Sequence, residues 1–218
     1  MSVTIAEEFL LLAHSDQDGK QLIDSMHLDP AVAGALLADL AIAGRIELAG
    51  KKLRVADPSP LGHPELDATL ARIVQEGGDR RPAWWVHKLQ SGKLRNRLLT
   101  GLAEAGVLAE RHRKVLGVFP STRWPQVDPG VQADVRERVS AVLAGADPDA
   151  RTAALIAITY AARFHRKAFP GADRKRIKEI AEGVWTSAAV AKAIAAIQAG
   201  VTGAAAAGMV AVGASGSS

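Results

Sequence analysis

Residues 162–178 read ARFHRKAFPGADRKRIK and hold seven Lys or Arg against one Asp, together with two of the chain's four Phe. Clustered cations of this kind bind phosphate or carboxylate groups, and aromatic rings beside them suit a surface that is wet on one side and apolar on the other. The formal net charge of the whole chain is +4, and residues 163–178 alone supply +6, so the remainder is slightly acidic. Basicity is therefore local, and a partner with clustered negative charge would be met at one place. Phe164 and Phe169 are five residues apart, with Pro170-Gly171 directly after, which fits one arm of a projecting loop with both rings near its tip. Two plainer readings stay open at this point: a solvated charged loop, and rings packed back into the core, the commoner fate of Phe.

Other chemistry has no visible anchor. The chain contains no HExxH, phosphate-binding P-loop, nucleophile elbow or strand-linked GxGxxG, and GVTGAAAAG (200–208) follows a helix rather than a strand. His14, His27, His63, His87, His112 and His165 include no i, i+4 pair that would fix a metal on one helical face. There is no Cys, which removes disulfides and thiolate metal sites and suits a reducing compartment. The turn HSDQDGK resembles a calcium loop, but with Gly19 at the sixth position His14 would stand first and Ser25 last, so two carboxylate positions fail. The expectation is a protein with no enzymatic activity, no metal and no cofactor.

The elements that position the basic run are mostly helical. Thr4 and Glu7 form a capping box for a helix to about Ala13. Asp-Pro pairs at 29–30, 128–129 and 147–148 read as starts of helices over 30–43, 129–144 and 148 to about 165. Further helices are expected over 65–76, from Pro82, and from Asp173 to about 199. RIELAGKKLRV alternates apolar residues around an Ala-Gly turn and reads as a β-hairpin. The arrangement of helix, glycine and two alternating stretches recurs, with Gly44 and Gly106 spaced 62 residues apart. RTAALIAITYAA (151–162) is apolar nearly all round, as a central buried helix is. Trp84, Trp85 and Trp124 read as core or seam residues.

The fold class expected is therefore mainly α: a central hydrophobic helix surrounded by amphipathic helices, with short β-hairpins including a projecting loop after the central helix. One domain is expected over 1–199 and an Ala/Gly/Ser-rich flexible tail over 200–218. No charge appears from 193 to 213, a length that would cross a bilayer, but the stretch lacks the Leu, Ile and Phe that favour insertion. A terminal helix with a loose end is expected instead. The start, MSVTIAEEFLLL, has no basic n-region, which argues against a secretory signal.

GALLADLAIAGRIEL (34–48), LAEAGVLAE (102–110), VLGVFPSTRWP (115–125), PDARTAALIAITYAA (148–162) and RKRIKEIAEGVW (174–185) occur in an order and spacing that resemble a bacterial member of the Golgi phosphoprotein 3 family, over about residues 4–199. The resemblance implies reversible binding to membranes containing phosphatidylinositol 4-phosphate, through a hairpin after the central helix that corresponds here to residues 163–176. It implies headgroup contacts from Arg151, Arg163, Arg166, Lys167, Arg174, Lys175 and Arg176, and membrane insertion by Phe164 and Phe169. Partners implied are anionic membrane lipids and client membrane proteins, with a cytoplasmic protein reversibly associated with the membrane surface. Asp24 and Ala33 stand where eukaryotic relatives carry a headgroup-contacting Trp and Arg, and Asp147 and Ala150 at two further headgroup arginines, with Arg151 adjacent. The chain starts near the family core, so the coat-recruiting arm of relatives is not expected. Two readings of other kinds remain: a winged-helix DNA-binding unit over 4–55, opposed by the absence of Lys and Arg from 30–43, and an interaction scaffold without lipid contact.

Overall fold

The computed structural model describes residues 3–77, 79–115, 119–183 and 188–214. Helix α1 (Ile5–Leu12) opens on the expected capping box: Glu7 N donates to Thr4 Oγ1 at 3.1 Å, and Thr4 N donates to Glu7 Oε2 at 2.6 Å. Helix α2 (Ser25–Ile42) begins earlier than Asp29-Pro30 suggests. Its cap is Asp24, which accepts from His27 N at 3.1 Å, and Pro30 lies inside the helix. The N–H that proline lacks would have served the carbonyl of Met26, an exposed residue in the first turn, so the loss there is tolerable.

Strands β1 (Ile46–Ala49) and β2 (Lys52–Val55) pair antiparallel with Leu48 opposite Leu53, as expected. Helices α3 (Pro64–Gln75), α4 (Pro82–Leu89) and α5 (Gly92–Glu104) follow, and then a second hairpin of β3 (Arg111–Val115) and β4 (Phe119–Arg123), with Arg111 opposite Arg123. Helices α6 (Gly130–Leu143), α7 (Ala150–Ala161), α8 (His165–Ala168), α9 (Arg174–Ala181) and α10 (Ala188–Ala214) complete the chain.

The expected central helix is α7, buried from Thr152 to Thr159 and packed by α1, α2, α6, α8, α9 and α10. Helix α2 is buried just as fully, from Pro30 to Ala41, and meets α1, α3, α4, α5, α7 and α10. The core is thus built on two packed apolar helices rather than one. No strand lies among residues 163–176, so the hairpin expected there is replaced by a single turn of helix, a reverse turn and α9.

The flexible tail expected from residue 200 is also corrected. Helix α10 runs through Ala214, with Val201 and Ala205 buried, and residues 215–218 lie outside the described residues. A Cβ on Gly200 would sit 2.8 Å from Ala83 Cα, and one on Gly34 would sit 2.4 Å from Val201 Cγ2. Glycine here permits close approach of α10 to α4 and α2, where composition suggested looseness. Windows in both α2 and α10 are long and apolar enough to cross a bilayer, but 67% of the α2 window is buried inside the protein and α10 packs on α2, α4 and α7.

Candidate functional site

The basic run is shaped by how α7 stops. Arg163 N donates to Tyr160 O at 2.9 Å and Phe164 N to Thr159 O at 3.1 Å, the paired bonds of a Schellman ending. Arg163 occupies the left-handed position of that motif, with φ 56, where glycine is favoured and another residue costs about 1 kcal/mol. The reversal drops Phe164 into the core, 2% exposed, edge-on to Phe9 at 6.2 Å. One turn later Phe169 is 9% exposed and belongs to the same apolar cluster.

The membrane insertion expected of Phe164 and Phe169 is therefore overturned. The Schellman turn and α8 direct both rings inward, and burying each contributes about 1.5–3 kcal/mol to folding. The cations point the other way: Arg163, Arg166, Lys167, Arg174 and Lys175 are all exposed. Among the described residues Arg163, Arg166 and Arg174 form no ion pair, and Lys175 has only Glu179 at 3.9 Å. Lys167 Nζ donates to Leu22 O at 3.0 Å and remains exposed. Arg176 turns aside: its guanidinium donates to Val142 O at 3.3 Å and Ala146 O at 2.9 Å, holding α9 to the end of α6.

A cleft of about 310 Å³ opens between α8 and α9, lined by His165, Arg166, Phe169, Arg174 and Ile177. Asp173 caps α9 through Lys175 N at 2.9 Å, which fixes Arg174 at the first helical position. His165 lies against Tyr160, ring centroids 5.0 Å apart, and its Nδ1 is closed off from water with no hydrogen-bond partner. Burial, then the positive charges of Arg166 and Arg174, hold its pKa below the usual histidine value. The cleft is a positive, partly apolar socket.

Arg151 sits at the other end of α7, about 18 Å along the helix axis from Arg163. Its Nε donates to Glu8 Oε1 at 3.0 Å, its Nη1 to Asp39 Oδ1 at 3.3 Å, and its Nη2 to Val3 O. Arg138 Nη2 donates to the same Glu8 oxygen at 2.8 Å. Burial lifts the Asp39 pKa to about 7, opposed by Arg151 and the Ile5 N–H and reinforced by Glu8 and Glu7. Arg151 is thus committed to carboxylates and does not join the basic surface. Beside it lies a cavity of about 1140 Å³. Most of its charged lining is paired: His63 Nε2 with Glu7 Oε1 at 3.3 Å, Arg97 with Glu65 at 2.5 and 2.8 Å, and Arg151 with Asp39.

Two groups escaped sequence reasoning. His165 was one of six scattered histidines, and only the fold sets it in one cleft with Arg174. Hairpin β3–β4 carries Arg111, His112 and Arg123, the first two exposed, and the run RHRK at 111–114 was its available signal. The α1–α2 loop touches both regions, because Trp124 N donates to Gly19 O at 3.1 Å and Lys167 Nζ reaches Leu22 O. Of the departures noted above, Asp24 caps α2 and Ala33 is fully buried. Helix α2, buried from Pro30 to Ala41, has no free face along that stretch to enter a DNA groove.

Comparison with known proteins gives one consistent result. The family model described as Golgi phosphoprotein 3 (GPP34) matches residues 5–197. Vacuolar protein sorting-associated protein 74 of Eremothecium gossypii is 25% identical over 166 residues, which cover 65% of this chain and 49% of that protein. The chain spans about half the length of that relative.

Proposed function

The chain belongs to the Golgi phosphoprotein 3 (GPP34) family, and on that premise we propose that it is a peripheral adaptor that attaches reversibly to anionic membrane surfaces from the cytoplasmic side. Phosphatidylinositol 4-phosphate is the headgroup that the family resemblance implies. The observation that carries the reading is the outward set of Arg163, Arg166, Lys167, Arg174 and Lys175, exposed and almost without carboxylate partners. Arg163 adds weight, because a cation is kept at a backbone position that favours glycine.

The strength of attachment follows from what the surface lacks. Each cation near an anionic leaflet contributes about 1 kcal/mol, so these residues supply at most about 5 kcal/mol. A dissociation constant of 1 mM corresponds to about 4 kcal/mol, so contact through this surface alone is weak and salt-sensitive. With Phe164 and Phe169 buried, no apolar anchor from this segment adds to it. A weak electrostatic contact suits an adaptor that is retained when a second contact, from β3–β4 or from a client membrane protein, is made at the same time.

The test is flotation with vesicles of neutral lipid alone, with phosphatidylglycerol, and with phosphatidylinositol 4-phosphate, at low and high salt. Binding is expected only to the anionic vesicles, falling with salt and lost in the variant Arg163→Glu, Arg166→Glu, Arg174→Glu. Equal flotation of that variant and the wild type would reduce the basic run to a solvated surface.

A further inference from the structure

The cleft between α8 and α9 has features that a diffuse basic surface does not need. Two guanidinium groups without ion-pair partners among the described residues, Arg166 and Arg174, face a pocket of about 310 Å³, at the lower end of the size of small-molecule sites. The imidazole of His165 lines the same cleft, and both guanidinium charges act on it. An anion seated there would offset both charges and lie beside a ring that becomes a cation on protonation. We infer that this cleft is a seat for one phosphate group, held by Arg166, Arg174 and a protonated His165. The inference rests on the anionic-surface reading above for its lipid form, but the seat would equally take a free phosphate.

The groups that face His165 are Tyr160 from α7, Arg166 from α8 and Arg174 from α9. No carboxylate figures among the charges acting on it, so the empty cleft favours the neutral ring. A phosphate group neutralises both arginines and adds negative charge beside the ring. Loading the seat therefore takes up a proton, and affinity rises as pH falls through the free imidazole's titration. Each unit by which the ligand raises that titration is worth tenfold in binding.

Two measurements on the full chain decide the matter. In the first, the His165 ring proton is titrated by NMR in chloride and in sulfate at equal ionic strength, sulfate standing in for phosphate because its own charge does not change between pH 5 and 8. The His165 midpoint is expected to rise by about half a unit or more in sulfate. In the second, flotation with phosphatidylglycerol vesicles is compared at pH 7.5 and 5.5 for wild type and His165→Gln, with melting temperature as the check on folding. Wild-type binding should strengthen about fivefold on acidification and the variant by less than twofold. An unmoved midpoint together with identical pH profiles for the two proteins would overturn the seat while leaving vesicle binding, and the adaptor reading, intact. A sulfate-shifted midpoint without vesicle binding at any pH would support the seat as a site for soluble phosphate and sink the lipid reading.

Discussion

The two ends of α7 handle arginine in opposite ways. At the N-terminal end Arg151 is shared between Glu8 and Asp39, each nearly buried, and its charge is spent holding α1, α2 and α7 together. At the C-terminal end Arg163, Arg166 and Arg174 face outward and, among the described residues, form no ion pair. The residues are chemically identical, so charge count alone cannot separate a structural cation from a binding one. What separates them is whether a buried carboxylate was placed within reach.

That contrast yields a graded series. Arg151→Ala leaves Glu8 and Asp39 short of a partner inside the fold, and urea denaturation should show a loss of about 3 kcal/mol or more. Vesicle binding per folded molecule should not change. A milder result would mean that the triad is weaker than its geometry suggests.

Asp39→Asn is expected to act through pH. The Asp39 pKa is raised to about 7 in the fold, so above the ordinary carboxylate range its ionisation works against the folded state, and the penalty grows until about pH 7. Relative to wild type, the Asn variant should therefore gain stability between pH 4 and pH 8, by something on the order of 3 kcal/mol. A flat difference across that range would show that Asp39 titrates normally.

At the other end of α7, Arg163→Gly should raise stability by about 1 kcal/mol, because glycine accepts the left-handed conformation without the Cβ clash. The same variant should bind anionic vesicles more weakly, a trade of function for stability that a purely structural residue would not show. Smallest of all in stability should be Arg166→Glu with Arg174→Glu, within about 0.5 kcal/mol per site by thermal melting. In vesicle flotation this pair should have the largest effect, which inverts the ranking set by Arg151.

Much of the scaffold was legible in the residues. Thr4 and Glu7 announced α1, the apolar run from Thr152 announced α7, and the alternation around Gly50 announced the first hairpin. Local signals misled where a tertiary partner decided the outcome. Asp29-Pro30 looks like a helix start, but Asp29 pairs with Arg95 and the cap falls to Asp24. The end of α7 carries no glycine to mark it, because Arg163 takes that role. The charged surface could be read from composition, whereas the inward direction of Phe164 and Phe169 depends on a backbone reversal that no periodicity records. Burial on Phe9 is a contact across more than 150 positions, and only the fold reveals it.

The packing of Gly34 on α10 bears on how the chain comes to be folded as it is made. The apolar face of α2 emerges from the ribosome early, and the helix α10 that covers it emerges some 160 residues later. Contacts this distant in sequence form slowly, because the whole intervening loop has to close first. In the interval the side of α2 that α10 will cover is open, on an apolar helix of 18 residues long enough to be mistaken for a membrane span and open to aggregation. Completion of the core therefore waits on residues near 200, so a nascent chain stalled before them would hold its most vulnerable surface uncovered.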